Sequence, residues 1–376
     1  MKKLIVVSDT FLPMVDGVAT FIKQVIPRLK RNFEVTIIAP GYDRSRYELW
    51  EGMDVYKMPV CKSVKVAGYS LPVPRFGKMS KHIRSADVVF VQSGPVLGSA
   101  AVLLARLLKK PVVLFVHQIG WEQIGHLTWG PVWWKKIVSS FTKGLTKYIC
   151  NSCDELIVPA DEIDVVLKDI EVKTKVKCVP YGVDMEIFCP TDNRDSAKKA
   201  AGIIPEKVVI GFCGRFSQEK GIDTLIEAFK SLNSQYDNLC LLLVGDGEEE
   251  IKTKANSLKN SIITGFVNNV RDYYHAMDIY VSPSLTETTG LTILEALSCN
   301  LPVVATPVGF GLHLKDRQNA YIFPTKDVQT LKQGLEQLIA DKEVRDRIAR
   351  AGNLTVKGKY TWDNTAAEVT RILNNL

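Results

Sequence analysis

The chain has 376 residues, 46% of them hydrophobic and 24% charged, which is more than one hydrophobic core usually serves and suits a soluble protein of two domains. No apolar run approaches the roughly 18 residues of a membrane span, and Lys2 and Lys3 precede only the short aliphatic stretch Leu4 to Val7, too brief for a secretory signal core. A cytoplasmic protein without a membrane span is expected.

The net charge of +7 conceals an asymmetry. Residues 1–150 carry 22 Lys and Arg against 9 Asp and Glu, a balance of +13 that leaves −6 for the remainder. A basic N-terminal part suits nucleic acid, an anionic membrane or phosphorylated ligands, and with no nucleic-acid motif present, membrane or phosphate is the better reading. The eight cysteines lack framework spacing, and Cys150 and Cys153 have no second CxxC or His pair to complete a zinc site, so reduced structural thiols are expected.

In chain order, "KKLIVVSDTFLP" reads as a strand ending in a polar loop, "VATFIKQVIPRLKR" has helical apolar spacing, and "FEVTIIAPG" reads as a second strand. The alternation continues through "ADVVFVQSG", the helical "VLGSAAVLLARLLKK", "PVVLFVHQ", a Trp-rich helical stretch to Cys150, "DELIVPA" and "KVKCVPYGV". A polar passage with two prolines follows Asp184, and the pattern restarts at "VVIGFCGRF" and runs through "LCLLLVGDG", "SIITGFV", "DIYVSPS", "LPVVATPV" and "YIFPT", each followed or preceded by helical spacing. Such alternation predicts an α/β protein of two Rossmann-like, doubly wound domains. The expected domains are residues 1–187 and 188–362, with a final helix over 363–376 that caps the second domain or packs back on the first. In open α/β sheets ligands bind beyond the carboxyl ends of the strands, and with two such domains the cleft between them is the expected site, closing over its ligand.

Three constellations carry chemistry. In "ETTGLTILEALSC", Glu287 belongs to a strand-to-helix loop and Glu295 lies inside the helix that starts near Gly290. A loop carboxylate beside the free N–H groups of a helix start can accept hydroxyl hydrogens while those N–H groups face an anion, and an inner carboxylate can still reach a diol. Two polyhydroxylated pieces joined by phosphates describe a nucleotide sugar. In "GFCGRFSQEKGIDTLIEAF", Gly214 ends a strand and Arg215 and Lys220 flank the loop before Gly221; the planar fork of Arg and the point charge of Lys suit a diphosphate. In "SDTFLPMVDGVATF", Gly17 stands before a helix, where backbone can approach a phosphate, though the stretch fails as GxGxxG and so speaks against a nicotinamide dinucleotide. His117 ends the apolar strand "VVLFVHQ".

Together "GRFSQEKGIDTLIEAF", "LVGDGEEE", "TGFV", "YVSPSLTETTGLTILEALSCNLPVVATPVG" and "VPYGVDMEIFCP" resemble the retaining glycosyltransferase family 4, of the GT-B fold. The likeness spans nearly the whole chain and is most specific in the C-terminal half. It implies that Glu287, first of an E-x7-E pair, contacts the hydroxyls of the donor sugar, that the backbone of Thr288, Thr289, Gly290 and Leu291 contacts sugar and distal phosphate, and that Glu295 binds the ribose diol. By the same resemblance Arg215 and Lys220, beside Gly214, hold the diphosphate, Gly17 belongs to the glycine loop near the phosphates, and His117 is the histidine near the transferred sugar. Two departures bear on donor detail. Asp16 replaces the first glycine of the family's commoner Gly-Gly pair, and "ETTG" stands where many members have a Phe before the glycine.

Neither domain contains an Asp-x-Asp pair, so a metal-bridged diphosphate is not expected, nor a cofactor beyond the nucleotide-sugar donor; the resemblance implies transfer with retention at the anomeric carbon. The leaving phosphate oxygen would take the acceptor's proton, with Glu287, His117, Arg215 and Lys220 as the catalytic set. The stretch 120–148 places Trp121, Trp129, Trp133, Trp134, Phe141 and Tyr148 among Lys135, Lys136, Lys143 and Lys147, a composition that fits either an anionic bilayer interface or a core-packed helix with a solvated lysine face. With the basic N-terminal part, and with "TETTG" similar to the form in members that glycosylate lipids, the preferred acceptor is a membrane lipid or polyisoprenoid-linked sugar, and the enzyme peripheral on the cytoplasmic membrane face. A soluble acceptor, a nucleotide-sugar epimerase, and a non-catalytic sugar-nucleotide-binding protein are the competing readings.

Overall fold

The computed structural model describes residues 1–14, 16–42, 53–66, 69–92, 94–119 and 132–376; the Trp121 and Trp129 readings lie outside them. The chain divides into two compact units, Met1–Tyr181 with Trp362–Leu376, and Gly182–Thr361.

The first unit is built on a sheet of order β3-β2-β1-β6-β7-β8-β9, its strands β1 (Lys2–Ser8), β2 (Phe33–Pro40), β3 (Asp54–Met58), β6 (Val88–Gln92), β7 (Val112–Phe115), β8 (Glu155–Val158) and β9 (Val176–Cys178) all pairing in parallel. The central strands are near-continuous aliphatic runs because helices cover both of their faces: Leu4, Val6 and Val7 of β1 and Val89 to Val91 of β6 are fully buried. A short antiparallel ribbon of β4 (Val60–Val66) and β5 (Tyr69–Pro72) interrupts the βα alternation. Neither it nor β3 belongs to the alternation read from the sequence.

The second unit holds a parallel sheet of order β12-β11-β10-β13-β14-β15, formed by β10 (Val208–Cys213), β11 (Leu239–Val244), β12 (Ser261–Ile263), β13 (Ile279–Ser282), β14 (Val303–Ala305) and β15 (Tyr321–Ile322). In each unit the chain builds outward from a first strand in one direction and then returns to its other side. The reversal falls between β1 and β6 in the first sheet and between β10 and β13 in the second. In open parallel sheets ligands bind beyond the carboxyl edge at such a reversal, which makes these the places to look for a ligand.

The units divide earlier in the chain than the expected residue 188. Val183 is buried in the core of the second unit, and Met185 and Phe188 pack against that core, so the residues after Tyr181 already belong to it. The final helix, Trp362–Asn374, belongs to the first unit, where it lies along the helix Gly17–Leu29. Arg28 Nε meets Asp363 Oδ1 at 2.9 Å, Thr365 Oγ1 donates to the Pro180 carbonyl at 2.9 Å, and the Trp362 ring packs on Tyr181 and Phe21.

Candidate active site

Beyond β10 in the second unit the backbone turns sharply. Gly214 takes φ 148° and the turn Gln218–Lys220 ends at Gly221, φ 62°, which starts the helix Ile222–Asn233. A Cβ on Gly221 would stand 2.1 Å from the Pro283 carbonyl oxygen, so glycine is required both by the left-handed backbone and by the close approach of the loop after β13. That loop carries Glu287 and ends at Gly290, φ 66°, before the helix Leu291–Ser298. A Cβ at Gly290 would lie 2.8 Å from Phe310 Cβ, and one at Gly309 2.9 Å from Glu287 Cγ. The two loops are thus packed backbone to backbone, and they hold their charged side chains against each other.

Lys220 Nζ lies 2.6 Å from Glu287 Oε2, with the two side chains only 22% and 16% exposed. Glu287 Oε1 accepts the Thr288 N–H at 3.0 Å. Burial works to raise the Glu287 pKa, but the Lys220 charge and hydrogen bond, with backbone N–H groups of Thr288 and Gly290, outweigh it and hold the carboxyl below its usual range. It is therefore a carboxylate at neutral pH. Arg215 pairs with Glu219, Nη2 to Oε1 at 2.7 Å. Glu295, on the helix Leu291–Ser298, takes the Tyr274 hydroxyl on Oε2 at 2.8 Å, and burial pushes its carboxyl up to about 7 despite that hydrogen bond. Thr288, Thr289 and Leu291 are partly exposed beside this helix start. Neither the Leu291–Ser298 helix nor the Ile222–Asn233 helix has a side-chain cap, so their leading N–H groups keep hydrogen-bonding capacity for an anion.

The corresponding place in the first unit is occupied by the protein itself. Asp9, just past β1, accepts the backbone N–H groups of Val96 and Leu97 at 2.8 and 2.6 Å on its two oxygens, and so caps the helix Leu97–Leu107. Burial lifts its carboxyl to about 6 against the pull of those bonds. Gly17 opens the helix Gly17–Leu29 rather than preceding it, and Asp16 is that helix's N-cap, accepting from the Ala19 N–H at 2.7 Å. The aspartate in place of a glycine thus has a local reason, since Asp is among the strongest N-cap residues.

His117 follows β7 and is 3% exposed. Its Nε2 is 3.0 Å from Gln92 Oε1 and its Nδ1 2.6 Å from the Tyr181 hydroxyl, while its ring stacks on Phe115 at 4.2 Å and meets the edge of Phe21. Burial lowers its pKa to about 3. The ring is neutral at physiological pH, and the partners suit the tautomer in which Tyr181 donates to Nδ1 and Nε2–H donates to Gln92.

Glu287, Lys220, Arg215, Gly214, Thr288 to Leu291 and Glu295 come together on one edge of the second unit, while Gly17 and His117 belong to the first. Sequence reasoning missed Glu219, Tyr274, Gln92, Tyr181 and Asp9. Of these, Glu219 and Tyr181 stand inside quoted motifs, and Asp9 directly follows the first strand; Tyr274 and Gln92 carry no sequence signal, because their roles come from packing.

Among the described residues no group of His, Cys, Asp and Glu is placed to hold a metal ion, and no helix is long and apolar enough to cross a membrane.

Comparison with known proteins agrees with this architecture. Residues 15–187 match the model of Glycosyltransferase Family 4, and residues 207–341 that of Glycosyl transferases group 1. The alpha-monoglucosyldiacylglycerol synthase of Streptococcus pneumoniae is 27% identical over 79% of this chain and 69% of its own. A GDP-mannose-dependent alpha-mannosyltransferase of Corynebacterium glutamicum is 26% identical over 96% of this chain and 86% of its own. Among solved structures, Anabaena HepE in complex with UDP superposes with a TM-score of 0.81 over the whole of both chains at 16% identity, which fixes the fold as GT-B. Two family models that together span most of the chain, over two parallel Rossmann-like sheets, place the protein in the family 4, group 1 glycosyltransferases.

Proposed function

We propose that the protein is a retaining hexosyltransferase that moves glucose or mannose from a nucleoside diphosphate sugar to a hydroxyl of a membrane lipid or lipid-linked sugar. The observation that carries the donor half is the switch point of the second sheet, where Lys220 pairs with Glu287, Arg215 pairs with Glu219, and two helices start without a side-chain cap. Cations and helix N-termini favour a diphosphate and the charge that grows on it as it leaves. Glu287, kept ionised by Lys220, accepts hydroxyl hydrogens of the sugar and stabilises positive charge at the anomeric carbon. Glu295 accepts the ribose diol, and the backbone from Thr288 to Leu291 meets sugar and distal phosphate. With Arg215 and Lys220 supplying the positive charge, no metal is needed, and turnover in the presence of a chelator tests this. His117 acts as a neutral hydrogen-bonding group toward the transferred sugar, exchanging one of its protein partners for the ligand.

The acceptor half rests on the helix Val132–Asn151. Trp133, Ile137, Phe141 and Leu145, spaced by four residues, are exposed, with Trp133 at 62% and Phe141 at 71%, and Trp134 and Tyr148 are exposed as well. An apolar stripe turned to solvent and accompanied by Lys136 and Lys143 supports the reading of a helix that lies in an anionic lipid interface. The relatives point the same way, since one is named a monoglucosyldiacylglycerol synthase.

Incubation with UDP-, GDP- and ADP-hexoses and a lipid extract, followed by mass spectrometry, tests the whole reading. A hexosylated lipid with the donor's anomeric configuration supports it. An isomerised donor with no new glycoside would point to the epimerase, and glycosylation of soluble sugars alone would overturn the lipid acceptor.

A further inference from the structure

The four charged groups at the second sheet's switch point are paired among themselves. Lys220 holds Glu287 and Arg215 holds Glu219, so the two pairs carry no net charge. The two pairs differ in what secures them. Glu287 is largely enclosed, takes a backbone N–H from Thr288 in addition to Lys220, and has Gly309 packed against its side chain. Among the described residues Arg215 is the single hydrogen-bond partner of the Glu219 carboxylate, and the pair is open, with 63% of the Arg215 side chain and 33% of the Glu219 side chain exposed. The Glu219 main chain is nevertheless fixed, because its carbonyl accepts the Leu285 N–H at 2.8 Å from the loop that carries Glu287. A carboxylate on a fixed backbone is therefore held beside a guanidinium that its partner loop leaves exposed.

We propose that Glu219 is a built-in competitor for the diphosphate: its carboxylate holds Arg215 until a nucleoside diphosphate displaces it and takes Arg215 back when the nucleoside diphosphate leaves. This deepens the reading of the site as a diphosphate clamp and rests on it. The chemistry is exchange of one oxyanion for another on the same planar fork. Diphosphate binding must first open the Arg215–Glu219 pair, and the two acids' charges oppose the ligand until it does. Glu219 thereby weakens product binding without touching the sugar or the base. The opposite role is also physically available, since an acid can hold a guanidinium in place for its ligand. The sign of one substitution separates the two.

Calorimetric titration of the full chain with UDP, GDP and inorganic pyrophosphate decides it. Glu219→Gln keeps the shape and the backbone bond to Leu285. An exposed ion pair of this kind is worth little, so the expected gain in affinity for the diphosphates is about two- to fivefold. The gain should shrink at high salt and be absent for the corresponding nucleosides. In an Arg215→Gln background the same change should have a markedly smaller effect, because the two residues act through each other. Unchanged or weaker diphosphate binding by the Glu219→Gln variant overturns the proposal, as does an equal gain with Arg215 already removed. If the unsubstituted protein binds none of the three probes, the diphosphate clamp itself fails and the proposal with it; if it binds and the variant does not tighten, only the role of Glu219 falls.

Discussion

Glu287 and Lys220 form the pair on which the proposed chemistry depends, and Lys220 helps keep Glu287 ionised. Replacing Glu287 with Gln removes the anion that pairs with Lys220 and that, in the proposed function, accepts the sugar's hydroxyls. A loss of turnover of 100-fold or more is expected, on the order of what removal of one preorganised electrostatic group costs, with nucleoside diphosphate affinity retained; steady-state kinetics beside calorimetry separates the two effects. Desolvation shifts both Glu295 and His117 toward their neutral forms, and the two give opposite pH signatures. The Glu295 carboxyl, pushed up to about 7, makes the native state bind more protons than the unfolded chain between about pH 4.5 and 7, so this group's contribution to stability falls as pH rises through that window. Glu295→Gln should therefore raise the melting temperature at pH 8 more than at pH 5. His117, lowered to about 3, makes the unfolded chain the better proton binder between about pH 3 and 6.5, so stability is lost on acidification through that range. His117→Phe should flatten the fall in melting temperature from pH 7 to pH 4; an unaltered slope would mean that the ring is not held neutral.

At the scale of elements, the strands and helices that build the two parallel sheets were legible in the sequence because buried parallel strands are nearly uniform aliphatic runs. The loop that carries Glu287 was legible because its glycines and acids stand at fixed spacing. What the sequence did not disclose depends on tertiary packing. The β4–β5 ribbon is too short and polar to declare itself, and the pairing of Arg215 with Glu219, or of Tyr274 with Glu295, appears only once loops and helices are stacked. The helix Val132–Asn151 is the instructive case: its Trp and Lys content fitted both a core helix and an interfacial one, and exposure of Trp133, Ile137 and Phe141 favours the second. Trp133→Ser with Phe141→Ser should leave the melting temperature within a few degrees, because little apolar area is buried there, yet should weaken flotation with vesicles containing anionic lipid. Unchanged flotation would exclude this helix from any lipid contact. Gly290 is the element boundary with least tolerance. Gly290→Ala adds a Cβ at φ 66° and 2.8 Å from Phe310 Cβ, a cost of about 1 kcal/mol or more, visible as a lowered midpoint in urea and as weakened nucleotide binding.

At the scale of the molecule, the two units repeat one design and use it differently. Each sheet reverses its strand order between a first strand and a later one, and each places a helix start at the reversal. In the first unit Asp9 fills that helix start with a carboxylate of the protein's own, whereas in the second the helix begins at Gly290 without a side-chain cap and faces Lys220 and Glu287. Under the proposed function, this asymmetry speaks for the second unit as the holder of the donor's diphosphate. The first unit carries the basic excess and the exposed helix, and receives its last element, Trp362–Asn374, from the far end of the chain.

The most direct measurement is calorimetric binding of UDP-, GDP- and ADP-hexoses to the unsubstituted protein and to Lys220→Met. Selective binding of one nucleotide sugar, weakened at least tenfold by loss of Lys220, is the expected result, since hydrogen bonds to a charged group contribute about 1.5–3 kcal/mol. Undiminished affinity in the folded variant would contradict the placement of the diphosphate at Lys220 and Glu287, and with it the proposed site.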